Sequence, residues 1–81
     1  MAKYLSCDGS ILKIKEVKLT PGAIMQSLEG NSEAFELLSG DLLIFNPDMQ
    51  NENHPRNPVA ESFGNREFRG PVIFCEPEEL D

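Results

Sequence analysis

The side chains best equipped for chemistry in this sequence are concentrated between Asn46 and Pro58. Asn46, Gln50, Asn51, Asn53, His54, Arg56 and Asn57 all carry hydrogen-bond donors. Arg56 suits forked recognition of a carboxylate or phosphate, and His54 can donate or accept near neutral pH. His54 is the sole histidine, and neither Cys7 nor Cys75 is near it in sequence, so no cluster has the spacing of a zinc site. The serines and cysteines lack a companion base motif, and no glycine-rich phosphate loop of either common spacing occurs. Asp41 and Asp48 could meet across a hairpin end, but paired surface carboxylates are ordinarily solvated. The expectation is a non-enzymatic protein with no metal and no cofactor.

A dozen or so residues without regular structure are uncommon in a compact domain, and such loops tend to be functional or disordered. Two readings of the loop stand. In one, Asn46 ends a strand, Asn57 caps a helix and the rest meets solvent. In the other, Asn46, Asn53, His54, Arg56 and Asn57 form a binding site, with His54 and Arg56 on the partner and Asn57 holding the loop end. If Asn57 is only a cap, Asn57→Ala costs about 1 kcal/mol and Asn57→Asp costs little.

The elements that must position this loop follow from local pattern. Lys3 to Cys7 predicts a short strand, and Asp8-Gly9-Ser10 a turn. Ile11 to Leu19 alternates, with Leu12 and Ile14 on one face, as a half-buried strand does. The phase slips at Glu16, as a bulge or strand end would make it. Thr20-Pro21 opens a helix, Ile24 and Leu28 share its inner face, and Gly30 stops it. Glu33 to Ser39 reads as a strand that turns at Ser39-Gly40-Asp41 into Leu42 to Phe45. The unbroken Leu-Leu-Ile-Phe run predicts a central strand covered on both faces. Asn57-Pro58 repeats the cap-then-proline signal for a helical turn through Phe63. Arg66 to Arg69 is a weak strand candidate, Val72 to Cys75 a final strand, and the acidic tail beyond Pro77 is expected to fray.

Length and charge narrow the function. Eighty-one residues read as one domain over 1–81, and a chain this short buries only about 60% of the surface its unfolded form exposes. The formal charge is −7, from fourteen acidic and seven basic side chains. It is uneven. Residues 1 to 19 carry four lysines against Asp8 and Glu16, a net of +2, and the remainder carries three arginines against twelve carboxylates, a net of −9. Such a surface repels phosphate backbones, so direct binding to nucleic acid or an anionic membrane is not expected. Two separated cysteines in apolar segments read as buried free thiols. With no signal peptide and no apolar run of membrane-spanning length, the expected location is the cytoplasm.

One resemblance extends over residues 30–75. Gly40 to Phe45 ending in Asn46, Pro55-x-Asn57-Pro58-x-Ala60, and Gly70-Pro71-Val72 resemble a family of small uncharacterised proteins and domains from bacteriophages and bacterial mobile elements. The helix before Gly30 and the Phe35-Glu36 strand fit more loosely. The chain departs from that pattern in its Asn-rich loop and in lacking a Gly-Gly-Tyr-Ile run. No activity is established for that family, so the resemblance implies a setting and not a reaction.

The expected fold is α+β: a small, mainly antiparallel sheet with one short helix at about 21–29 and a second helical turn at about 58–63. The expected function is an accessory protein of a phage or mobile element that binds a host or phage protein, as a monomer or weak homodimer. The alternatives are an acidic mimic of DNA that inhibits a host DNA-binding or defence protein, and a small-ligand binder using the 46–58 loop.

Overall fold

A computed structural model describes residues 1–15 and 18–81. The chain runs β1 (Lys3–Leu5), β2 (Ile11–Lys13), α1 (Pro21–Leu28), β3 (Glu33–Glu36), β4 (Leu42–Phe45), α2 (Pro58–Gly64) and β5 (Val72–Cys75), with single 3-10 turns at Pro47–Met49 and Pro77–Glu79. The five strands form one antiparallel sheet in the order β2-β1-β5-β4-β3. The α+β architecture expected from the sequence is the one observed.

Two hairpins close the sheet, and they close in the same way. In the first, the Gly9 N–H donates to Ser6 O and the Ser6 N–H to Ser10 O; in the second, the Gly40 N–H donates to Leu37 O and the Leu37 N–H to Asp41 O. Each is a three-residue loop whose last residue must take a left-handed conformation. Gly9 (φ 94°) and Gly40 (φ 92°) fill those places, where a side chain would be strained.

Strand alternation builds two cores. On one face Ile44, Ile73 and Cys75 meet Ile24 and Leu28 of α1, together with Ala2 and Leu19. On the other, Leu5, Leu43, Phe45 and Val72 meet Ala60 of α2 and the fully buried Phe68. The Phe68 ring stands edge-on to Phe35 and Phe45, with centroids 5.9 and 5.4 Å away. β4 therefore lies inside the sheet and is covered on both faces, as its apolar run implies. β5 is the middle strand.

Both helices start as the sequence specifies. The Thr20 hydroxyl accepts from the Ala23 N–H at 3.1 Å, the Asn57 side chain accepts from the Ala60 N–H at 3.1 Å, and a proline follows each cap. The left-handed residue that ends α1 is Glu29 (φ 60°), immediately before Gly30.

Several expectations need correction. β2 is shorter than predicted and is exposed throughout, with Leu12 at 60%. It is an edge strand, and α1 packs over the middle of the sheet instead. Ile14 is half-buried, while the phase slip at Glu16 and Val17 lies outside the described residues. β3 ends at Glu36 because 38–40 form the turn. Arg66 to Arg69 forms no strand, only a single bridge between Arg69 and Arg56. The acidic tail does not fray. Leu80 forms a parallel bridge with Leu19, and the Leu19 N–H donates to Glu79 O at 2.7 Å while the Asp81 N–H donates to Leu19 O at 2.9 Å. Cys75 is a buried free thiol, whereas Cys7 is only half-buried. Among the described residues no helix is long and apolar enough to cross a membrane.

Candidate functional site

The 46–58 loop is not structureless. It opens with the 3-10 turn Pro47–Met49 and is pinned at several points. Asn46 is buried: its Nδ2 donates to Leu28 O at the end of α1, and its Oδ1 accepts from the Asp48 N–H. Asn57 is fully buried, and its Nδ2 donates to Leu5 O and Gly70 O, both at 2.9 Å, while its Oδ1 caps α2. The polar atoms of both side chains are thus engaged inside the fold. Asn57 does far more than cap, and aspartate cannot replace it, because a carboxylate has no donor for those two carbonyls.

Gln50 supplies the pin that sequence reasoning missed. Its Nε2 donates to Arg69 O at 2.7 Å and its Oε1 accepts from the Arg69 N–H at 2.8 Å. The side-chain amide pairs with this backbone as a neighbouring strand would. A Cβ at Gly70 would come within 2.8 Å of Met49 Sδ, so the loop also packs closely on the segment before β5.

Asn53, His54 and Arg56 lie on the outer part of the loop. Asn53 is exposed, and its N–H donates to Asn51 Oδ1 at 2.9 Å. His54 is half-buried, and its carbonyl accepts from Arg69 at 2.8 Å. The Arg56 guanidinium forks onto Glu61 of α2, at 2.9 and 2.8 Å. That bond holds the Glu61 carboxyl below the usual carboxylate range and raises the Arg56 guanidinium above its ordinary value. The forked recognition expected of Arg56 is therefore satisfied within the chain. Asp41 and Asp48 do not meet. They lie beyond opposite ends of β4, where Asp41 accepts from Ser39 and Asp48 from Asn31.

A second surface with unused binding capacity lies away from the loop. A groove of about 580 Å³ lies between the β3–β4 turn and the end of α2. Phe35, Leu37, Leu38, Phe63 and Phe74 line it, and Glu36 and Asp41 stand among them. Leu38, at the hairpin tip, is fully exposed (111%), and Phe63 is 43% exposed. The Phe63 and Phe74 rings lie 5.0 Å apart. Covering a side chain such as Leu38 or Phe63 is worth roughly 1.5–3 kcal/mol. On the other side of the same turn is a trough of about 470 Å³ lined by Glu36, Asp41, Glu76 and Glu78. The two concavities share Glu36, Ser39 and Asp41, so an apolar surface passes directly into an acidic one.

Two local features make this groove. α2 stops at Gly64, where a Cβ would stand 2.5 Å from the Phe68 ring and 2.9 Å from Leu43. The last turn of α2 can sit this close to the sheet only without a side chain, and Phe63 is left at its edge. Leu38 occupies a turn, which has no inner face on which to bury it. A leucine immediately before Ser39-Gly40 was the available sequence signal. Phe63 and Phe74 gave none, since an apolar residue in a helix or strand ordinarily faces the core.

Compared with family models, with curated proteins and with solved structures, the chain matches none.

Proposed function

We propose that the protein is a non-enzymatic interaction module that captures a segment of another protein, one presenting an apolar side chain beside lysine or arginine. The observation that carries this reading is Leu38, fully exposed on a hairpin tip between an apolar groove and an acidic trough. The groove supplies contact area, and Glu36, Asp41, Glu76 and Glu78 select for positive charge and speed encounter. The pinned 46–58 loop acts as scaffold on this reading. The resemblance of residues 30–75 supports a phage or mobile-element setting, with a phage or host protein in the bacterial cytoplasm as partner.

The test is titration of labelled peptides carrying Leu or Phe flanked by Lys or Arg. The same peptides with Glu for Lys, or Ser for the apolar residue, serve as controls. Binding should require both features and weaken about tenfold or more in the Leu38→Asp/Phe63→Asp variant, the loss of one or two well-buried apolar contacts. Equal binding by wild type and variant, both folded, would overturn the groove as the site.

A further inference from the structure

Both outer strands of the sheet keep an edge open, and the two edges carry opposite charge. Among the described residues β3 pairs only with β4, and β2 only with β1. Hydrogen-bond phase decides which backbone groups remain free. Leu37 and Asp41 form a bonded pair. Alternation along the antiparallel ladder then turns Phe35 and Glu33 toward β4, and turns the N–H and C=O of Ala34 and Glu36 outward. In the other hairpin the Ser6 N–H bonds Ser10 O and the Ile14 N–H bonds Ala2 O. Tyr4 and Leu12 are the bonded pair between them, so Ile11 and Lys13 turn outward. The β3 edge exposes Glu33, Ala34 and Glu36; the β2 edge exposes Ile11, Leu12 and Lys13, with Lys15 just beyond.

We infer that these edges join between copies, β2 of one chain adding to β3 of the next. Neither strand contains proline, so neither lacks a backbone donor. A lysine on an edge ordinarily keeps other strands away. Set against Glu36, Lys13 attracts instead: both turn their backbone groups outward, so an antiparallel join can place them directly opposite on one face, where opposite charges are stabilising and like charges are not. Pairing β3 with β3 would bring two acidic edges side by side, and pairing β2 with β2 two basic ones. Only the unlike pairing brings the basic first nineteen residues, net +2, against the acidic remainder, net −9. Because the joined patches differ, the contact is heterologous and repeats into linear chains rather than closing as a dimer. With three residues in β2, few backbone bonds form, so the association is weak and depends on concentration. The inference rests on the strand edges and not on the groove, although Glu36 belongs to both, and the Lys13→Glu/Lys15→Glu variant leaves the groove untouched.

Sedimentation equilibrium of the full chain tests it. At low salt the weight-average mass should rise with concentration to at least about twice the monomer, then fall toward the monomer near 0.5 M salt, where charges are screened within a few ångströms. Glu33→Lys/Glu36→Lys should be monomeric, since both its edges are basic. Lys13→Glu/Lys15→Glu should be monomeric, since both its edges are acidic. Mixed in equal amounts, the two should associate again. Ala34→Pro removes an outward N–H and should abolish association while leaving the monomer folded; if it unfolds, the charge-swapped mixture decides the question. A monomeric wild type at low salt, a mixture that stays monomeric, or a folded Ala34→Pro variant that still associates would each overturn the inference. So would a wild type that stays monomeric while a lysine-rich extended peptide adds to β3, because the occupant of the edge would then be a foreign strand.

Discussion

The side-chain amide of Asn57 donates to the carbonyl of Leu5 at 2.9 Å, across 52 positions of chain, and so ties the start of α2 to the end of β1. The same nitrogen reaches Gly70 O at 2.9 Å. Asn57→Ala loses the cap and leaves two carbonyls without their donor, at a cost of about 3 kcal/mol or more. Asn57→Asp keeps the cap acceptor but points a carboxylate at both carbonyls, and should cost at least as much near neutral pH. Part of that loss should return in acid, where a protonated carboxyl can donate once. Urea unfolding at neutral pH and near pH 4 measures both effects. An Asn57→Asp variant as stable as wild type would contradict this role.

Gln50 fixes the loop through its paired bonds to the Arg69 backbone. Gln50→Met keeps the side-chain length but loses both the donor and the acceptor, so loop opening should become about 1–3 kcal/mol easier. Glu52 lies on the exposed outer stretch of this loop. Cleavage after Glu52 by a glutamate-specific protease should accelerate in the variant while global melting changes little. Unchanged cleavage would show that Asn46 and Asn57 are sufficient to hold the loop.

Ile44 sits in an interior strand, 4% exposed and packed in the core cluster with Ile24 and Leu28. Ile44→Ala should destabilise by about 2–5 kcal/mol. For a chain of this size that lowers the melting temperature by roughly 10 °C or more. A melting curve coincident with wild type would remove Ile44 from the core.

Burial pushes the Cys75 thiol from 9.0 up to about 11. The folded state therefore holds this proton where the unfolded chain would release it. The stabilising contribution is full below pH 9.0 and is lost as pH rises through about 11. Burial raises Tyr4 and Cys7 in the same direction. Thermal stability should thus fall steadily above pH 9, and Cys75→Ala should show a shallower alkaline decline. An identical pH profile for the two proteins would mean that Cys75 does not contribute to it.

The local signals were legible because each is carried by a few adjacent residues. Thr20-Pro21 and Asn57-Pro58 start helices because a cap needs only the next turn of backbone, and Gly9 and Gly40 mark turns because their left-handed angles suit glycine. Leu42 to Phe45 announced two covered faces through its lack of polar residues. Strand order was not legible. Leu12 has the pattern of a core residue but stands on an edge strand, and only the packing of α1 over the inner strands exposes it. Asn57 showed its cap but not its two donor bonds, since Leu5 and Gly70 lie 52 and 13 positions away. Arg56 looked available until α2 brought Glu61 beneath it. The groove is likewise a tertiary product: Leu38 belongs to a hairpin, Phe63 to a helix and Phe74 to the middle strand. A cap or a turn is decided by nearest-neighbour sterics and hydrogen bonds, whereas exposure depends on which distant segment covers a residue, and that was settled only when both cores closed around β4 and β5.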